Sequence, residues 1–516
     1  MYRLFSWEHS YFSGKTRGYL RFKERAGALG PGFEDILATP DLIAGRLLVK
    51  SQSNTIPQLE APDGTWIQDT SDIIDFVEAA HPSSPVVADP AHSPRQALAS
   101  YLIELLADEW LLVSGFWERW FFSEDGREPS HRGYNEQQWG AVLAAGQKGH
   151  ARRAAGGAFF EQAFGISTAR TDPKAVYAGL VQLGCTLETE HAWQASQHNV
   201  LGILENHFAE HDYVFGGRPA LADFGLLGPL YAHLYRDALS GFALRTYFPI
   251  TSEWVERTNG EGSLNARTWD QKLYSLDDDG ELVARPATSN GGEWLGDAAI
   301  PETLAPLLAV FVEEMWPVLT STIERLSAFM ASDDHTLGER LPEKSFTASP
   351  GFFNQQTGNG SLTHEFEIGG IKARRMVSAY QVWMLTRIAD LLDKCFAGDG
   401  GRESLAAWLE QLPRGREPPA RAQPPPTCSA LHAVRGGSSP PSIVPVGSNI
   451  YRSDQMASVF SDWDPHKLSR RAFEHQSASS SKPAWIRVRV GSQFGTFPSF
   501  GVECLRGPRL SGGAKP

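Results

Sequence analysis

Thr55-Ile56-Pro57-Gln58-Leu59, then Asp63-Gly64, then Gln68-Asp69-Thr70-Ser71-Asp72-Ile73-Ile74 decide the reading of this chain. They spell a buried strand opening on an X-Pro bond, a turn, a short second strand and a helix with a polar start. Proline has no N–H to donate to a ladder, so Pro57 belongs at a strand edge or in a cis bond. The backbone of Ile56 is then free to pair with an extended peptide. The helix start at Asp69-Thr70-Ser71 offers unpaired N–H groups and a positive dipole end to a carboxylate. Together they frame a pocket for a short peptide with an anionic end. A capped helix beside a hairpin, with no ligand at all, uses the same residue types.

The surrounding chain bounds that reading. At 516 residues, two or three domains are expected. An apolar fraction of 41% and 15 Trp supply ample core material. No run of 18 uninterrupted apolar residues occurs, so no membrane-spanning helix is expected. Met1 to Glu8 reads as a strand and not as a signal peptide. Cys185, Cys395, Cys428 and Cys504 show neither metal nor disulfide spacing, which suits a reducing, cytoplasmic setting. A net charge of −13 argues against general nucleic-acid binding. The charge is uneven: from residue 396 onward 15 Lys and Arg outnumber 9 Asp and Glu.

Residues 1–85 read as βαβ followed by ββα. The first strand is Tyr2 to Glu8, the loop His9 to Gly14, the helix Lys15 to Ala28, and a second strand Leu47-Leu48-Val49-Lys50. After the turn-rich 81–94, helical periodicity takes over, with residues 95–122 as one long helix. Further helices are expected within 174–210, 302–330 and 376–392, and strands within 362–371. Residues 258–300 read as an insertion, with a small hairpin around Asp277-Asp278-Asp279. Residues 396–516, rich in Pro and Ser, read as a low-complexity, disordered tail.

The opening stretch resembles the glutathione-binding half of the cytosolic glutathione S-transferases, with Asp69-Thr70 where Glu-Ser is usual. Arg218-Pro219-Ala220-Leu221-Ala222-Asp223-Phe224 resembles their helix-capping Pro-Ser/Thr-x-Ala-Asp-Phe, with Ala220 in place of the hydroxyl. The likeness covers roughly residues 1–257 and, more loosely, the chain to about 395. It implies an α/β thioredoxin-like N-terminal domain, residues 1–85, followed by an all-α helical-bundle domain, residues 95–395.

It also implies chemistry. Glutathione transfer needs a thiolate, and a hydroxyl plus a helix N-terminus aimed at the sulfur lowers a thiol pKa from near 8.5. The loop His9-Ser10-Tyr11-Phe12-Ser13-Gly14-Lys15-Thr16-Arg17 resembles the serine-type Ser-x-x-Ser-x-Arg-Val-Arg. In that register Ser10 is the thiolate-stabilising hydroxyl, Ser13 the fallback and Tyr11 a third choice. No Cys precedes Cys185, which argues against thiol-transferase chemistry. The resemblance implies glutathione contacts from Ile56 and Pro57, from Asp69 and Thr70 at the γ-glutamyl end, and from Asn54 or Lys50 at the glycyl carboxylate. Tyr11, Phe12, Trp110 and Trp117 would line an apolar electrophile pocket, although aromatic residues at helical spacing are more often plain core. No metal is expected. His207 and His211 share a helical face but lack a third ligand, and read as a surface pair; Arg374-Arg375 reads as a solvated helix start.

The resulting expectation is conjugation of glutathione to an apolar electrophile. A non-catalytic scaffold of the same fold and a glutathione-dependent isomerase stand as alternatives, and a homodimer is left open.

Overall fold

The computed structural model describes residues 1–51, 53–123, 128–164, 183–260, 273–285, 292–330, 363–398 and 400–412. The first domain is built on a four-stranded sheet in the order β2-β1-β3-β4, with β1 Tyr2–Ser6, β2 Phe33–Leu37, β3 Gln58–Glu60 and β4 Trp66–Gln68. β1 and β2 run parallel, and β3 is antiparallel to both β1 and β4. Helix α1, Tyr11–Arg25, links the parallel pair, and α2, Thr70–Ala80, follows β4. This is the thioredoxin-like arrangement expected. Leu4, Leu20, Leu59, Ile73, Ile74 and Val77 form its core.

Two expectations for this domain are corrected. The second strand is Phe33–Leu37, not Leu47 to Lys50. Residues Ile43–Leu47 and Leu48–Ser51 are helical: Ile43 and Leu47, four apart, are buried, while Leu48 and Val49 are exposed. A four-residue apolar run does not itself distinguish strand from helix. Helix α1 starts at Tyr11 and not at Lys15, with Ser10 as its N-cap, so Ser13 and Gly14 lie in the first turn.

The second domain is mainly helical. Its long first helix runs as α3, Pro94–Leu106, a π-helical turn Ala107–Leu111, and α4, Leu112–Phe121. Then come α5 Arg132–Leu143, α6 Gly149–Phe164, α7 Glu190–Glu210, α8 Leu221–Pro229, α9 Ala238–Tyr247 and α10 Pro249–Asn259. Helix α8 packs on α1 at Gly18, where a Cβ would stand 2.5 Å from Leu227 Cδ2 and 3.2 Å from the Thr258 carbonyl oxygen. Lacking a hydroxyl at Ala220, α8 is capped by Asp223 alone. One of its oxygens accepts from Ala220 N at 2.8 Å; the other accepts from Val214 N and Trp254 Nε1, each at 3.0 Å.

The expected hairpin forms as β5 Leu273–Leu276 and β6 Leu282–Arg285; the rest of the insertion between 261 and 291 lies outside the described residues. A continuous helical stretch follows, ending in α11 Ala305–Val310, a π-helical turn Phe311–Met315 and α12 Trp316–Met330. Glu302–Phe329 is long and apolar enough to cross a membrane, with a mean hydropathy of 1.3 in its most apolar window. The requirement for an uninterrupted apolar run passes over it. In this fold Leu307, Leu308, Phe311, Met315 and Leu319 face the core.

Strands β7 Thr363–Ile368 and β8 Ile371–Met376 form a second hairpin. Its two-residue turn is Gly369-Gly370, both at positive φ (56° and 80°), which glycine adopts without a Cβ penalty. Arg374-Arg375 therefore belongs to a strand and not to a helix start, and Arg375 is buried. Helix α13, Ala379–Ala397, lies on α3. Helix α14, Gly401–Gln411, packs against α3 through buried Leu405 and Trp408. The packed domain therefore continues past residue 395, and the expected boundary of the tail at 396 is corrected to 412. The tail from 413 to 516 lies outside the described residues. Truncating a buried Trp costs about 3–5 kcal/mol, so Trp408→Ala should lower the urea unfolding free energy by roughly 3 kcal/mol. A change below about 0.5 kcal/mol would mean that α14 adds nothing to the packed domain.

Candidate functional site

Three chain segments meet at one end of the sheet. The Ile56–Pro57 bond is cis, and the paired register begins just after it, with Gln58 opposite both Phe5 and Gln68. Pro57 is thus set beside Asp69, which precedes α2, and beside the end of β1, which leads to Ser10. The preceding loop is tied down by Gln58, whose amide nitrogen donates to Thr55 O at 2.8 Å and Ser53 O at 3.0 Å. Gln68 donates to the Thr55 hydroxyl at 2.9 Å. Ile56 is buried, Asn54 half-buried, and Lys50 exposed on its helical turn.

Ser10 is the N-cap of α1. An N-cap serine ordinarily accepts from an N–H of its own first turn, yet this one makes no such bond. Its Oγ is buried with no partner. Ser13 is fully buried and accepts from Trp7 N at 3.3 Å, so its hydroxyl already serves the turn. The peptide before Ser10 is gripped by the helical domain: Arg119 donates to His9 O at 2.8 Å and to Asp237 at 2.8 Å. His9 is itself bonded to Asn135 at 3.0 Å. Burial first, and the Arg119 charge second, hold the His9 imidazole neutral, well below its ordinary pKa.

At the α2 start, Asp69 adopts φ 93° and ψ 136°, outside the regions non-glycine residues favour. Its Oδ1 accepts from Ser71 N at 2.9 Å, while Oδ2 has no partner, nor does the Thr70 hydroxyl. Both residues are buried, and burial raises the Asp69 pKa.

Behind them lies a charged core that the sequence reading did not single out. Lys15 Nζ donates to Asp108 at 2.6 Å, Glu104 at 2.7 Å and Ser71 Oγ at 3.3 Å, all fully buried. Burial opposes the Lys15 charge, but the two carboxylates outweigh it and raise its pKa. Glu104 also accepts from Arg387 of α13 at 2.9 Å, and Arg387 pairs with Asp75 at 3.0 Å. Burial would raise the Glu104 pKa, yet the two cations hold it down. Asp108, with Lys15 alone, is pushed up by burial. Glu109 is pushed up to about 8, by burial first, with Arg375 opposing. The signal for this core was visible: two acids four residues apart on an otherwise apolar helix face.

Helix α13 covers this end of the site. Tyr380 donates to Asp69 Oδ1 at 3.4 Å, and Met384 lies against Ser71. Its inner face buries Tyr380, Met384, Leu385, Ile388, Leu391 and Leu392. At roughly 1.5–3 kcal/mol per buried side chain, that face is worth on the order of 10 kcal/mol.

The four aromatic residues expected at an electrophile pocket are all buried. Tyr11 donates to Ala107 O at 2.5 Å, and Phe12 packs in the core. Trp110 packs on Trp193 and donates to Glu314 at 2.8 Å; Trp117 stacks on Phe121. The expected surface pair is also corrected: His207 is buried and bonded to Thr303 Oγ1 at 2.7 Å. Among the described residues no group of three His, Cys, Asp or Glu is arranged to hold a metal.

No protein-family model and no curated protein matches this chain. Among solved structures it is similar to a glutathione S-transferase from Rhodospirillum rubrum F11, at 16% identity and a TM-score of 0.31, over 52% of this chain and 91% of that one. It is similar also to beta-etherase LigF from Sphingobium sp. strain SYK-6, at 16% identity and a TM-score of 0.32, over 50% and 94%. A third is a glutathione transferase family member from Pseudomonas fluorescens Pf-5 with bound glutathione, at 15% identity and a TM-score of 0.27, over 49% and 92%.

The raised Glu109 pKa gives a stability test. Between the ordinary carboxylate pKa and about 8, the folded state binds more protons than the unfolded one, so stability falls as pH rises through that window. Glu109→Gln removes this loss. The variant should gain thermal stability relative to wild type at pH 8.5 and not at pH 5, by an amount on the order of 1 kcal/mol or more. Parallel melting curves at the two pH values would refute the assignment.

Proposed function

We propose that this chain is a glutathione transferase-like protein that binds glutathione beside cis Pro57 and conjugates its thiolate to an apolar electrophile. The observation that carries this reading is the Ser10 hydroxyl, buried at the N-terminus of α1 and bonded to nothing in the fold. A hydroxyl donor and a helix N-terminus facing one sulfur both favour its anion. The Ile56 backbone would pair with the cysteinyl unit, and Asp69 with Thr70 would take the γ-glutamyl end. On this reading the thiol releases its proton to solvent on binding. The sulfur then forms a bond to the electrophilic carbon, and either a leaving group departs with its electron pair or an addition product takes a proton from solvent.

A non-catalytic, partner-binding role is favoured by a different observation. Ser10, Asp69 and Thr70 are only 6%, 2% and 1% exposed, which restricts turnover more than it restricts structure. Calorimetry with glutathione, with the ultraviolet absorbance of the bound thiolate followed across pH, separates the two. An enzyme should bind glutathione with a thiol pKa well below about 8.5, and Ser10→Ala should raise it by about one unit or more. Binding with an unshifted thiol supports the scaffold. No binding removes the glutathione reading altogether.

A further inference from the structure

Helix capping explains Asp69 Oδ1 but not Oδ2, and not the neighbouring Thr70 hydroxyl. Both of these atoms are buried and unpartnered in residues at least nine-tenths covered. The Asp69 carboxyl is met from much later in the chain by the Tyr380 hydroxyl, 3.4 Å from Oδ1. Four carboxyl groups surround that hydroxyl: Asp69 before α2, Glu104 on α3, and Asp108 and Glu109 on the turn after it. Two cations of the cluster are ion-paired: Lys15 of α1 bridges Glu104 and Asp108, and Arg387 of α13 bridges Glu104 and Asp75. The third, Arg375 of β8, lies over the Trp110 and Phe366 rings, with its Nε and Nη1 buried and unpartnered. Among the described residues Asp69 has no cation at ion-pair distance. Asp69 Oδ2 and Thr70 Oγ1, on adjacent residues, are therefore left as two buried acceptors without a partner, and the Tyr380 hydroxyl lies against the same carboxyl group.

Resting on the glutathione reading above, we propose that Tyr380 is a specificity-determining residue of that site, its hydroxyl joining Asp69 Oδ2 and Thr70 Oγ1 in receiving the γ-glutamyl ammonium. The Tyr380 O–H donates to Asp69 Oδ1 and keeps its lone pairs for an incoming N–H. An ammonium has three N–H groups, matching the three oxygens. Burial raises the Asp69 pKa, and an ammonium beside the carboxyl would draw it down again. Helix α13 lies beyond residues 1–257, in the part of the chain that resembles the family only loosely. Selection for a free α-amino group is in this way a property of the late helical segment.

The test is calorimetry of the full chain with glutathione and with glutathione acetylated on its α-amine, for wild type and Tyr380→Phe. Wild type should prefer the free amine by at least about tenfold. Tyr380→Phe should lose about tenfold for glutathione and nothing for the acetylated peptide, with the bound-thiol pKa unchanged. Unaltered binding of the acetylated peptide also reports that the variant is folded. If Tyr380→Phe does not fold, Thr70→Ala reads the same contact from its other side, with the same selective loss expected. Unchanged discrimination in the folded variant overturns the proposal. So does a wild type that binds both peptides equally, and that result leaves the glutathione reading standing. A wild type that binds neither peptide removes both.

Discussion

The Lys15 ammonium is the point on which the two domains turn. It is fully buried, it projects from the first helix of the thioredoxin-like domain, and its two carboxylate partners belong to the first helix of the other domain. Burying such a charge is tolerable only when it is paired and fully hydrogen-bonded, and removing one partner of a buried pair typically costs about 3–5 kcal/mol. The interdomain seam is consequently specified by charge as well as by the apolar fit of α1 to α8. The third contact of Lys15, the Ser71 hydroxyl, runs straight into the α2 start. The geometry at Asp69 and Thr70 is in this sense set by the same ion that joins the domains.

The opposite side of the site is fixed in a related way. Arg119 reaches from α4 to the carbonyl before Ser10 and is held there by Asp237. Trp7 packs edge-on against Trp139 of the helical domain. Both the Ser10 and the Asp69 ends of the site are therefore held by side chains from outside the sheet. The sheet supplies the cis-Pro strand between them, and the helical domain sets how far apart they stand.

The strand–turn–strand–helix at 56–74 was legible because its signals are local: a proline at a strand start, Asp-Gly at a turn, and an Asp-Thr-Ser helix opening. Phe33–Leu37 escaped notice because a five-residue strand with adjacent acids, Glu34 and Asp35, carries little alternation. Leu47 to Lys50 misled because apolar content alone does not give a period. The contacts of Tyr380 and Arg387 were out of reach for another reason. They join residues 283 to 312 positions apart, and no spacing rule covers them. Trp110 and Trp117 satisfy both a pocket and a core, and only the packing of Trp193 and Phe121 against them decides for the core.

Arg387 spans Asp75 of the first domain and Glu104 of the second, and it comes late in the chain. Synthesis proceeds from the N-terminus, so the ribosome has released the whole sheet, α1 and α3 long before it delivers this guanidinium. Until then Glu104 lacks one of its two cations and Asp75 lacks its guanidinium, and the apolar face of α3 that α13 and α14 later cover is open to water. A nascent chain that has not reached residue 387 therefore holds the residues of the sheet, α1 and α3 without the charge and apolar cover that α13 supplies. A stop between the end of α3 at Leu106 and the start of α13 at Ala379 would leave the apolar face of α3 permanently uncovered, the kind of surface chaperones bind.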